Sequence, residues 1–321
     1  MTAGGTKAAP LHRRLPIVGA ILGRERDGFA TPWTTAMLFL LPALLVHFAL
    51  MLYPAALTFW NSVHIIRPNA DDVFVGLANY RELWTDTMFW RSVTNTLLWT
   101  GVGPFLDVGL GLLLALALYA GVPFSRFLRV AWFTPVLISY VVVGVLWMWI
   151  FNYDWGPLNA GLRAVGLADW QQAWIGDPDI ALWSLIVVHA WKWAGFNMVV
   201  CLAALHALPR EVMEAAELDN CGLVKRFWYV MLPMLRPTLV NLLILSIIGK
   251  MKVFDLVWIM TQGGPLWSTE TVSTYVYKRA FFWSTFDLGY PSAIAVVWFI
   301  AAIGLVIVFK TTLTPRYKLE Y

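Results

Sequence analysis

The sequence predicts an all-α polytopic membrane protein with six transmembrane helices and both termini in the cytoplasm. Hydrophobic residues make up 60% of the 321 residues, charged residues only 13%, and the mean hydropathy is +0.67. A soluble domain has about a quarter charged residues. The apolar residues also form long runs, each near or above the roughly 20 residues that a helix needs to cross a bilayer. The runs lie at about 34–59, 94–120, 130–151, 180–206, 238–260 and 290–309.

These runs are too long and too continuously apolar for barrel strands, and helices satisfy their own backbone hydrogen bonds in lipid. Fourteen Lys and Arg residues lie in the tails and in the second and fourth connections, and six lie in the other connections. The positive-inside rule therefore predicts a cytoplasmic tail at 1–33, a transmembrane domain at 34–311, a cytoplasmic loop at 207–236 within it and a cytoplasmic tail at 312–321. The first run is expected to be an uncleaved anchor. Topology explains the net charge of +4, so no nucleic-acid partner is predicted.

The sequence lacks the motifs of an enzyme or of a self-contained pump. Its one Gly-Lys pair, Gly249-Lys250, has Ile244 and Met251 where a P-loop needs Gly and Ser or Thr. The five histidines are scattered without metal-ligand spacing. No catalytic residue, metal site or cofactor is therefore predicted on this chain.

The loop at 207–236 is the one strongly charged stretch between apolar runs. Pro209 suits the first position of a helix whose one face carries small residues flanked by glutamates. Asn220, which tolerates a left-handed conformation, and Gly222 then provide a turn. A second amphipathic piece follows, and Pro233 opens the next span. The pattern predicts two short helices lying across the membrane surface, either as a simple connection or as a docking face for a partner. At the start of the second run, Thr85 or Asp86 is suited to cap the helix.

The same loop contains an E-A-A sequence and, after it, a spaced set of acidic, aromatic, aliphatic and proline residues: Glu214, Ala215, Ala216, Asp219, Phe227, Leu232, Pro233 and Pro237. In these residues the loop resembles the EAA loop of ABC importer permeases. It departs from the family pattern at Asn220, where the family has glycine, and at Val230, where it has isoleucine. Other stretches resemble the carbohydrate-uptake permeases of the maltose and glycerol-phosphate type: GLANYRELW, WKWAGFNM, ALHALPREVMEAAE, VFDLVWIMTQGGP, TETVSTYVYKRAF and FDLGYPSAIA.

The resemblance implies a transport subunit in the inner membrane of a bacterium. A second permease subunit would complete the pore, two ATPase subunits carrying ATP and Mg would bind beneath the loops, and an extracytoplasmic binding protein would deliver the solute. The residues expected to couple the chain to its ATPase are Glu214, Ala215, Ala216, Leu218, Asp219, Asn220, Gly222, Phe227, Leu232 and Pro233.

Polar and aromatic residues inside the spans are candidates for the solute pathway, because polar groups in a membrane are costly. The candidates are Trp191, Lys192, Trp193, Asn197, Lys250, Phe254, Asp255 and Trp258. Lys252 and Asp255 could instead neutralise each other as a helical i,i+3 pair. Lys192 could pair with Asp107 or cap a backbone carbonyl. Lys250, Phe254 and Trp258 would share one helix face, and the resemblance places this helix beside the pore.

Import of a sugar is the leading functional hypothesis. The two lysines of the fifth run leave open an anionic sugar phosphate or sulfonate, and the same machinery could import another small polar solute, such as a polyamine or an amino acid. A membrane-embedded transferase is disfavoured because its acidic cluster would lie at the membrane interface, whereas the acidic residues here are concentrated in the 207–236 loop. A passive channel gives no reason for the loop pattern.

Overall fold

The computed structural model describes residues 33–67, 71–283 and 287–313. The predicted tails, apart from residues 33, 312 and 313, lie outside the described residues. The chain forms two units, residues 1–60 and 61–321. In the first unit, the described residues belong to a single span, α1 (Trp33–Asn61), with a π turn at Phe48–Leu52.

In the described part of the second unit, the regular structure is helical apart from a short ribbon of β1 (His64–Ile65) and β2 (Val73–Phe74). Its helices are α2 (Ala78–Thr85), α3 (Thr87–Tyr119), α4 (Ser125–Leu137), α5 (Tyr140–Ile150), α6 (Pro157–Ala164), α7 (Ala181–His206), α8 (Arg210–Leu218), α9 (Val224–Met251), α10 (Asp255–Met260), α11 (Val272–Tyr277) and α12 (Gly289–Leu313). A 3-10 turn at Ala168–Trp170 follows α6, and a π turn at Lys278–Phe282 follows α11.

Five of the helices in the described part of the chain are long and apolar enough to cross a membrane: α1, α3, α7, α9 and α12. The third predicted span, 130–151, is formed by two helices, because α4 and α5 meet at a bend of 108°; counted as one span, this pair brings the number to six. Ile138 and Ser139 are extended there, and the Ser139 hydroxyl accepts a long 3.5 Å hydrogen bond from the Val142 N–H. A serine N-cap thus starts α5 as a new helix.

The fifth predicted span, 238–260, also differs from the structure. Its helix α9 begins earlier, at Val224, and ends at Met251. The break before α10 is stable because its backbone carbonyls are satisfied: the Trp298 indole donates to the Met251 carbonyl at 2.8 Å and the Thr271 hydroxyl to the Val253 carbonyl at 3.1 Å.

Helix α7 is the centre of the second unit, since 67% of its most apolar stretch is buried, compared with 17% for α12. Close backbone contacts with its neighbours depend on glycine. A Cβ on Gly195 would overlap the main-chain carbonyl of Trp132 in α4, and one on Gly111 in α3 would overlap the α7 backbone at Asn197. The three helices therefore pack with almost no space between their backbones.

Asp86 joins the elements at the end of α3 that is remote from the 207–236 loop. Its carboxylate accepts hydrogen bonds from the N–H groups of Met88 and Phe89 at 2.9 and 3.1 Å, so Asp86 is the predicted N-cap. The hydroxyls of Tyr275 and Tyr290 donate to the same carboxylate at 2.5 Å each. Burial by itself would raise the pKa of Asp86, but these hydrogen bonds outweigh burial and hold the pKa below its usual value.

Candidate functional site

A cavity of about 130 Å³ lies between α3, α5, α7 and α9, which we call the central cavity. Three of the eight predicted pathway residues line it: Trp193, Asn197 and Lys250. Its other polar lining residues are Asp107, Tyr140, His189 and Ser246. The cavity is thus a mixed surface of aromatic rings and hydrogen-bonding groups inside the membrane domain.

The charged groups of the central cavity neutralise each other. The Lys250 ammonium contacts the Asp107 carboxylate and lies 2.7 Å from the Ser246 hydroxyl, which donates to the carboxylate oxygens at 3.0 and 3.2 Å. The Lys250 side chain is 1% exposed and that of Asp107 is 2% exposed. Gly103 makes room for this arrangement, because a Cβ there would overlap the Lys250 side chain. The partner of Asp107 is therefore Lys250 and not Lys192.

The uncharged polar groups leave hydrogen-bonding capacity free. Asn197 is 4% exposed, and its amide forms no hydrogen bond with another described residue. The Trp193 indole donates to the Tyr140 hydroxyl at 2.7 Å, and that hydroxyl lies 3.3 Å from His189 Nε2. His189 Nδ1 is buried and has no partner in the described part of the chain. A buried polar group without a partner is costly, so such groups at a cavity indicate a place for a polar ligand.

The other pathway candidates on α7 have structural contacts. The Lys192 ammonium donates hydrogen bonds to three backbone carbonyl oxygens, those of Pro135 at 2.9 Å, Val136 at 3.3 Å and Ile138 at 2.5 Å. Capping of a carbonyl was one of the two roles expected for this lysine. Trp191 packs edge-on against Trp147 at 5.4 Å in the hydrophobic core. Neither side chain lines the central cavity.

The candidates after the α9 break also lie outside the central cavity. Because α9 ends at Met251, Lys252 and Asp255 do not form the predicted helical pair, and Lys250 does not continue one helix face to Phe254 and Trp258. The Phe254 and Trp258 rings stack on each other at 5.6 Å. Asp255 begins α10, where a carboxylate favours the helix dipole.

The first part of the 207–236 loop folds as predicted into a helix and a turn. Helix α8 begins at Arg210, with Pro209 as its N-cap and not as its first residue. Asn220 is left-handed, with φ of 51°, and the N–H of Cys221 donates to the Ala216 carbonyl at 3.0 Å to close the helix end. Asn220 therefore takes the left-handed conformation that was expected of it from the chemistry of its side chain.

The predicted coupling residues divide into exposed and buried groups. Within α8 and its turn, only Ala216 is buried. Phe227 packs in the core formed by α3, α7 and α9, and Leu232 is half-buried. The exposed predicted residues are Glu214, Ala215, Leu218, Asp219, Asn220, Gly222 and Pro233.

The second part of the loop differs from the prediction of a separate surface helix. From Val224 the chain runs continuously into the span through a π turn at Phe227–Met231. Because proline has no N–H to donate, a wide turn just before Pro233 allows the helix to pass through it. The Arg226 guanidinium donates to the Glu217 carboxylate at 2.6 Å. Helix α8 is thus joined to α9 by a short turn and by an ion pair.

Three polar residues of the central cavity were not predicted from the sequence: Tyr140, His189 and Ser246. A signal existed for two of them. His189 precedes Trp193 and Asn197 at four-residue intervals on α7, and Ser246 precedes Lys250 by four residues on α9, so each shares a helix face with a predicted residue. No local pattern could place Tyr140, because its position depends on the bend between α4 and α5.

Comparisons with known proteins agree with this architecture. Residues 107–318 match the family described as binding-protein-dependent transport system inner membrane component. The chain is 34% identical to the probable ABC transporter permease protein YurN of Bacillus subtilis, over 84% of this chain and 92% of that protein. It is 33% identical to the sulfoquinovosyl glycerol transport system permease protein SmoG of Agrobacterium fabrum, over 82% and 85% of the two chains. It is 30% identical to the trehalose/maltose transport system permease protein MalF of Thermococcus litoralis, over 85% and 91%.

A solved structure has the same fold. It is a chain of a bacterial ABC transporter involved in the import of the acidic polysaccharide alginate, with a TM-score of 0.75 and 21% identity, covering 86% of this chain and 94% of that chain. The match in sequence spans more than half of the chain and includes α8, α9 and every lining residue of the central cavity. The chain therefore belongs to the family of binding-protein-dependent transport system inner membrane components, and it is a multi-pass permease subunit of an ABC importer in the inner membrane.

Proposed function

We propose that the central cavity is part of the translocation pathway for a sugar or sugar derivative. The observation that carries this proposal is the Asn197 amide, which is almost fully buried, lines the cavity and has no protein partner among the described residues. Sugar hydroxyls donate and accept hydrogen bonds and would satisfy both ends of this amide. Trp193 and Phe196 add aromatic surface, on which the C–H faces of a sugar ring can pack.

A neutral sugar fits the cavity better than an anionic derivative. Asp107 neutralises the positive charge of Lys250, and the Lys192 ammonium donates its hydrogen bonds to backbone carbonyls. Neither lysine is therefore free to bind an anion. Lys252 favours the second candidate, an anionic sugar derivative, because it is exposed at the break after α9. The names of related permeases include both trehalose/maltose and sn-glycerol-3-phosphate transport systems.

Uptake by the complete transporter in proteoliposomes, with its binding protein, tests the two solute classes. Maltose, trehalose, lactose and sn-glycerol 3-phosphate are suitable probes. We expect uptake of at least one neutral sugar, and we expect Asn197→Leu to raise the half-saturating concentration about tenfold, because one or two hydrogen bonds to the solute are lost. Asn61→Leu, at the end of α1 and outside the cavity lining, is the matched control. Uptake of the phosphate alone, abolished by Lys252→Met, would contradict the neutral-sugar proposal.

We further propose that α8 docks into an ATPase subunit that carries the ATP and Mg. Glu214 and Leu218 support this, since both project from α8 and are exposed, while Ala216 anchors the helix to the rest of the chain. Movement of α8 would reach the central cavity through α9, because the loop continues directly into the helix that carries Lys250. A second permease, two ATPases and a binding protein on the opposite side complete the proposed assembly, with the loop and both termini of this chain in the cytoplasm.

Co-purification tests the docking proposal. Glu214→Lys and Leu218→Asp should each reduce the amount of ATPase recovered with the permease, because they alter exposed side chains of α8. Ala216→Asp is a weaker test, since it would place a carboxylate in a buried position and disturb packing. Asp169→Lys, an equal charge reversal at an exposed residue of another connection, is the control. Undiminished ATPase recovery with both α8 variants would show that docking occurs elsewhere.

A further inference from the structure

The bend between α4 and α5 has an unusual stabilising group. A helix end leaves its last carbonyls without intrahelical donors, and these carbonyls carry the negative end of the helix dipole. The ammonium of Lys192, which comes from α7, lies 2.5 to 3.3 Å from three carbonyl oxygens at this end: those of Pro135 and Val136 in the last turn of α4, and that of Ile138, the residue after the helix. Lys192 is 3% exposed, so water does not supply these contacts.

We propose that Lys192 is a positioning residue: its ammonium fills a cation site formed by the carbonyl end of α4, and it thereby sets the bend that places Tyr140 at the central cavity. Tyr140 is the first residue of α5, directly after the bend. Its ring lies 4.9 Å from the Lys192 ammonium, and its hydroxyl accepts a hydrogen bond from Trp193 at 2.7 Å. One lysine therefore holds both the end of α4 and the aromatic ring that faces the cavity.

The contacts have the chemistry of a monovalent-cation site. Carbonyl oxygens around a broken membrane helix coordinate free cations in other transport proteins. Here a side chain supplies the positive charge. A free ammonium ion, with the same donors, should occupy the site when the side chain is shortened to alanine, whereas the methionine side chain would fill the space with apolar atoms.

The bend can be measured without any solute. Phe127 on α4 and Trp149 on α5 are exposed and can be replaced by spin-labelled cysteines after Cys201→Ala and Cys221→Ser. At 1.5 Å per residue the arms between these sites and the bend are about 15 and 14 Å long, so a 108° bend separates the two Cα atoms by roughly 17 Å, compared with roughly 33 Å for a straight helix.

Pulsed electron resonance on the full-length protein in lipid nanodiscs should give the short distance for the wild-type sequence and for Lys192→Arg, which keeps donors for the carbonyls. Lys192→Met and Lys192→Ala should shift the distribution toward longer distances. Ammonium chloride should restore the short distance in Lys192→Ala alone, and choline chloride at equal ionic strength should not. Tyr140→Phe, which leaves the ammonium in place, is the matched control for the bend.

Two results would overturn the proposal. If Lys192→Met keeps the short distance, the ammonium does not set the bend. If Lys192→Arg loses the short distance as Lys192→Met does, donation to the carbonyls is not the cause. Any effect of Lys192 on solute uptake, acting through Tyr140, rests on the proposed function of the cavity. The bend angle and its rescue by ammonium do not depend on that function. The distance measurement can therefore fail while the proposed function holds, and the reverse.

Discussion

The buried ion pair of Asp107 and Lys250 allows a quantitative test of how much each charge beside the central cavity depends on its partner for stability. Replacing Lys250 by Met removes the ammonium and leaves the Asp107 carboxylate with only the Ser246 hydroxyl. Both charged side chains are at most 2% exposed, so solvent screening does not reduce the effect. Breaking such a buried pair from one side costs about 3–5 kcal/mol of unfolding free energy.

Removing both charges should cost much less than removing one. We expect Asp107→Ala combined with Lys250→Met to recover most of the loss and to lie within about 2 kcal/mol of the wild-type protein, because no uncompensated charge remains. Reversible unfolding in mixed micelles, titrated with a denaturing detergent, measures these differences. Lys252→Met is the matched control, since this lysine is exposed and should change stability by less than about 0.5 kcal/mol. A Lys250→Met cost below about 1 kcal/mol, or no recovery in the double variant, would refute the reasoning.

Other positions give independent expectations. Asp86→Asn should cost about 1–2 kcal/mol at neutral pH, because two tyrosines then donate to a neutral amide. The folded-state pKa of Asp86 is lowered, so its contribution is present above the unfolded pKa of about 3.9 and is lost as pH falls through the folded value; a difference that grows on acidification would contradict this. Asn220→Gly should leave stability and ATPase recovery nearly unchanged, whereas Asn220→Val should lower both, since its φ is 51°. Gly195→Ala should destabilise through overlap with a backbone carbonyl, while Gly304→Ala, which has open space, should not; equal thermal stability of the two variants would count against the α4–α7 packing.

The parts of the fold that depend on local pattern could be predicted from the sequence. Five spans follow from apolar length, Asp86 was one of two expected caps, and the handedness at Asn220 follows from the chemistry of a short amide side chain. The bend at Ile138 was not predicted, although Pro135 and Ser139 on either side of it are local signals for a helix end and a helix start. Its stability depends on Lys192, which is more than 50 residues away in the sequence.

The residues of the candidate site likewise divide into those that residue type could identify and those that depend on contacts between distant parts of the sequence. Trp193, Asn197 and Lys250 could be proposed from residue type alone, since polar and aromatic groups are unusual inside spans. The sequence could not show that Lys250 is neutralised by Asp107, because the two residues are 143 positions apart. That contact weakens the expectation of an anionic solute, because the expectation depends on both lysines of the fifth run being available to bind an anion.

Solute uptake by the reconstituted transporter, compared between the wild-type chain and Asn197→Leu, tests the proposed role of the central cavity most directly. We expect a neutral sugar to be taken up, with a half-saturating concentration about tenfold higher in the variant and with ATPase recovery unchanged. Equal half-saturating concentrations for the two proteins would contradict the assignment of the central cavity to the solute pathway.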